Sequence, residues 1–273
     1  MKTIDFSILG VGAWGANFRN SADLRALLEG QLLDDDGAKG PKPEVIPANE
    51  RRRAPLPVRL AVESSWQACQ NASIDPSTLG SVFVSGLGDT QLTDYMCKVL
   101  AGENKALSPT KFHNSVHNAA AGYWTISTKC MQAANSIAGF EESVSLTLLE
   151  SLVQANIEQR PILMTFYDAP VSPVLKPLLK NDHSFAVSMI LSPISSDSPT
   201  NNRFSASLKQ GAHNGWPKHS WPEPLNTCYS TNPVARILPL TELVLTNKNA
   251  AVTMPLSEET SLLIESNAMN ENE

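Results

Sequence analysis

The chain has 273 residues, of which 42% are hydrophobic and 18% are charged, and its formal net charge is −6. This length suits one large domain or two small ones, with enough core to fold unaided. The acidic balance argues against a general nucleic-acid binder, which normally carries a basic patch. The charged fraction lies below the ~25% that is usual for soluble domains, which fits a surface that a partner partly covers.

The sequence shows no targeting or membrane segment. It opens without an apolar run that could serve as a secretion signal, and no stretch approaches the ~18 apolar residues of a membrane span. The cysteines form no Cys-x-x-Cys pair, which argues against structural zinc and against a disulfide framework; they are Cys69, Cys97, Cys130 and Cys228. We therefore predict a cytoplasmic protein without a metal ion or other cofactor, in which Cys69 and Cys97 pack in the core.

The hydrophobic pattern alternates strands with helices along the chain. Strands are predicted over 3–9, 81–85, 162–167, 185–191 and 261–265. Helices are predicted over 19–33, 58–69, from about 89 to 100, and over 118–128, 141–156 and 233–245. Less regular sequence predicts a surface excursion over 34–57, an irregular polar segment over 109–117 and a loop-rich extension from about 192. Together these elements predict a layered α/β fold, with residues 1–273 forming a single domain.

The first motif runs from Gly10 to Gly15 and matches the dinucleotide-binding pattern G-x-G-x-x-G directly after a predicted strand. That pattern also needs a second strand, closed by an acidic residue ~20 positions further on. Asp34, Asp35 and Asp36 stand at about that distance, but the residues before them have helical periodicity. We therefore interpret the glycines as a tight turn after the first strand and keep nucleotide binding as the alternative.

A second motif is the basic run Arg51-Arg52-Arg53. Such a run can bind phosphate, but in an acidic chain it more often forms a solvated face or pairs with carboxylates at an interface. We favour this second interpretation.

The most informative segment is 108–126, which reads SPTKFHNSVHNAAAGYWTI. His113 and His117 have the spacing of a metal-binding pair on a helix. However, Pro109 and the Asn and Ser residues indicate a loop without a third ligand nearby, so no metal site is predicted. The small residues 119–122 predict a helix that can pack very closely against another element, such as a partner subunit.

With this segment, the chain resembles the N-terminal half of β-ketoacyl synthases of the thiolase superfamily. The resemblance covers residues 3 to 191 and is closest to ketosynthase-like proteins of bacterial aryl polyene and related fatty-acid-like pathways. It implies a thiolase-like layered α/β fold that is truncated to about one half. The segments that carry it are the Ile-x-Gly opening, the Arg-rich lead into the helix at Val58, residues 82–86 (VFVSG), residues 108–126 and residues 167–170 (YDAP).

The family's chemistry needs a cysteine at a sharp turn before a buried helix, where the helix dipole and backbone amides activate the thiol and hold the oxyanion. The resemblance places this turn at Ala138, Gly139, Phe140 and Glu141, where no cysteine occurs. The family's two catalytic histidines belong to a second half that this chain lacks. The resemblance therefore implies a non-catalytic subunit with no catalytic residue.

Such a subunit is a chain length factor, which forms a heterodimer with a full-length β-ketoacyl synthase and shapes its acyl tunnel. The acyl carrier protein would act through that partner, and neither nucleic acid nor membrane is implied. The alternative is an active acyltransferase or condensing enzyme that uses Ser136, Ser143 or Cys130. The residues implied at the tunnel and interface are Thr110, Lys111, Phe112, His113, Asn114, Ser115, His117, Tyr123 and Trp124, with Phe112 and His113 at the far wall.

Overall fold

The structure is a computed structural model that describes residues 3–34, 37–194 and 202–267. Its strands are β1 (Ile4–Gly15), β2 (Gly80–Val84), β3 (Ala134–Ile137), β4 (Ile162–Asp168), β5 (Phe185–Pro193), β6 (Arg203–Gln210), β7 (Ala251–Pro255) and β8 (Thr260–Ser266). Its helices are α1 (Ser21–Leu28), α2 (Ala48–Arg51), α3 (Leu56–Ala72), α4 (Thr90–Ala101), α5 (Pro109–His113), α6 (Ala119–Thr128), α7 (Ser143–Glu158), α8 (Lys176–Leu179), α9 (Leu225–Thr231) and α10 (Leu238–Thr246).

All these strands join one sheet in the order β3-β2-β4-β5-β1-β6-β8-β7. β2 is parallel to both β3 and β4, whereas β5 is antiparallel to both β4 and β1. The remaining strands extend the sheet in antiparallel fashion beyond β1. The predicted layered α/β fold is confirmed, because helices cover both faces of this sheet.

The two faces of the sheet carry separate hydrophobic clusters. Along β4, Ile162 and Phe166 point into a cluster with α1, α7 and α10. Leu163 and Tyr167 point into a second cluster with α3 and α6. The run of apolar residues in β4 and β5 therefore reflects burial on both faces, as predicted.

Helix α3 lies unusually close to the sheet. A methyl group added to Gly10 would lie 2.5 Å from the carbonyl oxygen of Ala68, and one added to Gly12 would lie 2.0 Å from that of Ser64. β1 continues through Gly15, so the predicted tight turn is wrong. The glycines instead remove the side chains that would separate the backbones of β1 and α3.

The nucleotide-binding alternative fails for the same reason, because the glycines do not form a turn that leads into a helix. No second strand appears in the described chain between β1 and β2. Asp34 is described as part of a coil after α1, whereas Asp35 and Asp36 lie outside the described residues.

Two pairs of hydroxyl groups also hold α3 in position on the sheet. Ser64 Oγ lies 2.8 Å from Ser188 Oγ on β5, and Ser65 Oγ lies 2.7 Å from Thr165 Oγ1 on β4. These hydroxyls are fully buried, and buried polar groups are stable only when they are hydrogen-bonded. The pairs therefore fix the helix to one place on the sheet.

The region after residue 192 is more regular than the predicted loop-rich extension. The predicted helix and final strand are present as α10 and β8, but β6 and β7 were not predicted. The apolar residues of β6 are interrupted by Ser205, Ser207 and Lys209, and β7 has only five residues, which weakened their hydrophobic signal. Within the excursion at 34–57, the described residues include the short helix α2. Ile46 is fully buried there and anchors the excursion to the core.

Three smaller expectations have clear outcomes. Cys69 is buried as predicted, but Cys97 is exposed because it lies on the outer side of α4. In the basic run, Arg53 lies 3.7 Å from Glu50 in an exposed ion pair, which fits the solvated interpretation. No helix within the described ranges is long and apolar enough to cross a membrane.

The contact of α3 with β1 predicts the effect of one methyl group. Gly12→Ala should lower the free energy of unfolding by about 3 kcal/mol, because the methyl group meets backbone atoms that cannot rotate away. Chemical denaturation measures this change. The matched control is Gly122→Ala in α6, where no heavy atom lies within 4 Å of the new methyl group. This control should leave the chain as stable or stabilise it by about 1 kcal/mol, and an equal loss in both variants would contradict the packing argument.

Candidate functional site

The segment between α4 and α6 forms a projecting loop, which we call the 109–117 loop. Its first part is the short helix α5 rather than the irregular segment that was predicted. Pro109 stands at the first helical position, where its fixed φ favours the helix and its missing N–H costs nothing. Thr110, Lys111, Phe112 and His113 are all exposed, and Phe112 is 60% exposed.

Asn114 fastens this loop to the rest of the chain. It is buried, its side-chain amide donates to the carbonyl oxygen of Arg53 at 3.2 Å, and its Oδ1 accepts from the hydroxyl of Tyr123 at 3.2 Å. Lys111 adds a second attachment, because its Nζ lies 3.4 Å from the ring centroid of Tyr95 on α4. The loop therefore projects from the surface while its base is held in place.

The base of the loop borders two cavities of about 230 and 650 Å³. Ser115 and His117 line the smaller one, as does Val116, which is 53% exposed and was not among the predicted residues. Thr110 and Lys111 line the larger one. The apolar position at Val116, four residues after Phe112, was the signal in the sequence that could have identified it.

One predicted residue lies elsewhere than expected, and the two histidines of the loop form no metal site in the described part of the chain. Trp124 is fully buried in the cluster beneath α3 and α6, so it packs the core of this chain and does not reach an interface. His113 and His117 are both exposed, and among the described residues no group of His, Cys, Asp and Glu could hold a metal ion.

The turn after β3 has the shape expected before the buried helix. Phe140 has φ of +48°, a left-handed conformation that is rare for a bulky residue. It opens a single 3-10 turn, Phe140–Glu142, after which α7 begins at Ser143, two residues later than predicted. Gly139 donates its backbone N–H to Ser143 Oγ at 3.0 Å, and the acidic side chains of Glu141 and Glu142 suit the positive end of the helix. The side chain at the tip of this turn is therefore a phenyl ring, which is 48% exposed.

The three alternative nucleophiles are not exposed at a reactive site. Ser143 is fully buried and its hydroxyl oxygen accepts the Gly139 N–H. Cys130 is buried, and its thiol donates to the carbonyl oxygen of Leu79 at 3.3 Å. The hydroxyl oxygen of Ser136 is also buried. Within the described ranges no hydrogen bond joins any of the three to a histidine, which a serine or cysteine nucleophile would need as its base.

Asp168, at the end of β4, organises the loop between β2 and α4. Its carboxylate accepts from Ser85 Oγ at 2.5 Å, from the Leu87 N–H at 3.1 Å and from the Gly86 N–H at 3.3 Å. Burial raises the pKa of this carboxyl to about 7, although the three hydrogen bonds oppose the rise. Since Ser85 also lines the smaller cavity, Asp168 holds one of its walls.

A second surface is apolar and open. β3 pairs with β2 on one side and forms an edge of the sheet on the other, and an edge strand offers unpaired backbone groups to another chain. α7 exposes a stripe formed by Leu146, Val153 and Ile157, so it is less buried than predicted. Asn135 on β3 donates to Glu150 on the same side of α7 at 3.2 Å, which places edge and stripe together. We call this combination the β3–α7 surface, and exposed apolar patches of this kind mark interaction sites.

The protein-family model that describes the β-ketoacyl synthase N-terminal domain matches residues 29–235 of the chain. The chain belongs to this family. No curated protein sequence matches it, but solved structures share its fold.

One similar structure is the ketosynthase ApeO in complex with its chain length factor ApeC from Xenorhabdus doucetiae. It has a TM-score of 0.71 and 15% sequence identity, and the match covers 96% of the present chain and 99% of the matched chain. A second is the ishigamide ketosynthase/chain length factor, with a TM-score of 0.67 and 11% identity over 96% and 98%. The ketosynthase from module 6 of the bacillaene synthase of Bacillus subtilis has a TM-score of 0.55 and 13% identity, over 83% of this chain but only 44% of its own. The thiolase-like α/β fold predicted from the sequence is thereby confirmed.

The buried carboxyl of Asp168 predicts a pH dependence of stability in this ketosynthase-like domain. Because its folded pKa of about 7 exceeds the ordinary value of 3.8, the folded state binds this proton more tightly than the unfolded state does. Its contribution is therefore complete at acidic pH and is lost as pH rises from about 4 to about 7, with a slope of up to about 1.4 kcal/mol per pH unit.

Asp168→Asn should remove this slope, so the difference in unfolding free energy between variant and native chain should change across that pH range. Denaturant titrations at several pH values measure it. Asp75→Asn, an exposed helix cap, is the control and should not change the slope between pH 5 and 7. A native slope that persists in Asp168→Asn would refute the assignment.

Proposed function

We propose that this chain is a chain length factor, a non-catalytic subunit that pairs with a full-length β-ketoacyl synthase and bounds its acyl tunnel. The observation that carries the proposal is Phe140, a phenyl ring at the strained turn before α7. By the resemblance, this is the turn at which an active ketosynthase presents its cysteine. The backbone at Phe140 is strained, and by the resemblance the nucleophile is absent from this turn.

A phenyl ring has no nucleophilic atom and cannot form a thioester. The carboxylates of Glu141 and Glu142 next to it would also repel the carboxylate of a malonyl extender unit. The neighbouring hydroxyl of Ser143 is buried and already hydrogen-bonded. These features support an inactive subunit rather than the acyltransferase alternative.

Similarity to the solved complexes supports pairing with a ketosynthase. The chain spans nearly all of its match in the ApeO–ApeC structure, a ketosynthase with its chain length factor, but less than half of the bacillaene ketosynthase. The β3–α7 surface supplies a suitable contact, because strand pairing along the β3 edge satisfies its backbone groups while the stripe on α7 buries apolar area.

The 109–117 loop then has a role in the pair. Its exposed apolar side chains, Phe112 and Val116, would enter the partner's acyl pocket and form the far wall of the tunnel. Their volume would limit chain length by steric exclusion. The acyl carrier protein would deliver its cargo to the ketosynthase, and the free thiols of the described cysteines suit the reducing cytoplasm.

One substitution on the β3–α7 surface tests the pairing. Ile157, which is 74% exposed at the end of α7, would be buried in the heterodimer, and Ile157→Asp should weaken it at least tenfold because a charge would be desolvated there. Affinity is measured by titrating each variant against a tagged full-length β-ketoacyl synthase from the same organism.

The matched control is Leu178→Asp on α8, at the opposite end of β4. Leu178 is equally exposed, at 77%, but lies outside the proposed surface, so its variant should bind as the native chain does. A native chain that remains monomeric beside the ketosynthase would overturn the proposed function. Equal weakening by both variants would overturn the surface assignment.

A further inference from the structure

The two cavities beside the 109–117 loop share part of their walls. Both are lined by Pro55 and Pro57 at the start of α3, by Asp89 and Leu92 at the start of α4, and by Asn114. Of these residues, only Asn114 belongs to the loop. It therefore lies, on the loop side, at the junction between the smaller and the larger cavity.

The position of this side chain is fixed by elements other than the loop. Its amide donates to the Arg53 carbonyl in the lead into α3, and its oxygen accepts from the Tyr123 hydroxyl on α6, each at 3.2 Å. The side chain is buried, and a buried polar group that loses its hydrogen bond destabilises the fold. Displacing Asn114 to widen the passage between the cavities is therefore unfavourable.

The larger cavity has the lining of an acyl-binding site. Most of its lining surface is apolar, although the charged residues Arg53, Asp89 and Lys111 also border it. The apolar residues are Pro55, Leu56, Pro57, Leu92, Ala169 and Pro170. Its volume of about 650 Å³ lies within the range of small-molecule sites, which are mostly apolar with few polar groups. The smaller cavity lies beyond Asn114 and is bordered by Val116 and His117 of the loop.

We propose that Asn114 is a specificity-determining residue that separates the two cavities and so limits how far the apolar end of an acyl chain can extend. This inference rests on the proposed function as a chain length factor. The side chain blocks the passage by its volume, and its two hydrogen bonds keep it in that position. The limit on chain length thus comes from a hydrogen-bonded amide at the base of the loop as well as from the apolar residues at its tip.

Replacement of Asn114 by smaller and by apolar residues tests the inference in the complex with the ketosynthase. Asn114→Ala joins the cavities and should shift the products longer by one or more extension cycles. Asn114→Leu restores the volume without the hydrogen bonds, so its products should stay closer to the native length than those of the alanine variant. Product lengths are measured by mass spectrometry after reconstitution with the carrier protein and extender units.

The matched control is Asn71→Ala, which removes the same side chain and its hydrogen bond to the Val11 carbonyl at 2.7 Å, away from both cavities. Its products should match the native ones. If Asn114→Ala does not fold, Asn114→Ser removes similar volume, keeps a polar group and carries the same expectation.

Intact heterodimers that give native-length products with Asn114→Ala or Asn114→Ser would overturn this inference while leaving the proposed function in place. Lengthening by Asn114→Leu as great as that by Asn114→Ala would also overturn it, because the effect would then follow loss of the hydrogen bonds and not the joining of the cavities. A native chain that does not pair with the ketosynthase would overturn the proposed function itself.

Discussion

Helix α3 packs on the middle of the sheet with its backbone in direct contact with the backbone of β1. The position of the candidate site depends on this packing. Gly10 and Gly12 leave no side chain between β1 and α3, and buried hydroxyl pairs tie the helix to β4 and β5. Because α3 cannot shift along the sheet, the segment that leads into it is fixed as well. That segment offers the Arg53 carbonyl to which the 109–117 loop is fastened.

A second constraint operates at the end of β3. The chain must turn sharply there to enter α7, and Phe140 accepts the left-handed conformation that the turn requires. Such strain is usually retained where function needs it. In this chain the residue at the strained position is a phenylalanine, which agrees with the proposed role as a non-catalytic subunit.

Much of this could be predicted from the sequence, and the failures have physical reasons. The long apolar runs of β4 and β5 and the small-residue helix α6 predicted the layered fold correctly, since their burial is encoded locally. The glycines of β1 were misinterpreted because the sequence does not show that a helix, 50 residues later, requires their missing side chains. Trp124 was expected at an interface, but the periodicity of α6 does not reveal which side faces the sheet.

The site was only partly predictable for the same reason. Exposed loop residues such as Phe112 follow from Pro109 and from their polar surroundings. In contrast, Asn114 becomes distinctive only when its side chain meets Tyr123 and also Arg53, which is 61 residues away in sequence. The exposed stripe on α7 could not be predicted either. An apolar helix has the same sequence pattern whether its own chain or another subunit covers it.

The central claim is that the partner holds the acyl chain covalently while this chain bounds its far end. Photo-crosslinking tests it directly: the ketosynthase in the heterodimer is loaded with an acyl group that carries a diazirine at its terminus, and both subunits are analysed by mass spectrometry after irradiation. We predict a thioester on the ketosynthase alone and a photo-adduct within residues 110–117 of this chain. A thioester on this chain, or adducts confined to the ketosynthase, would contradict the account.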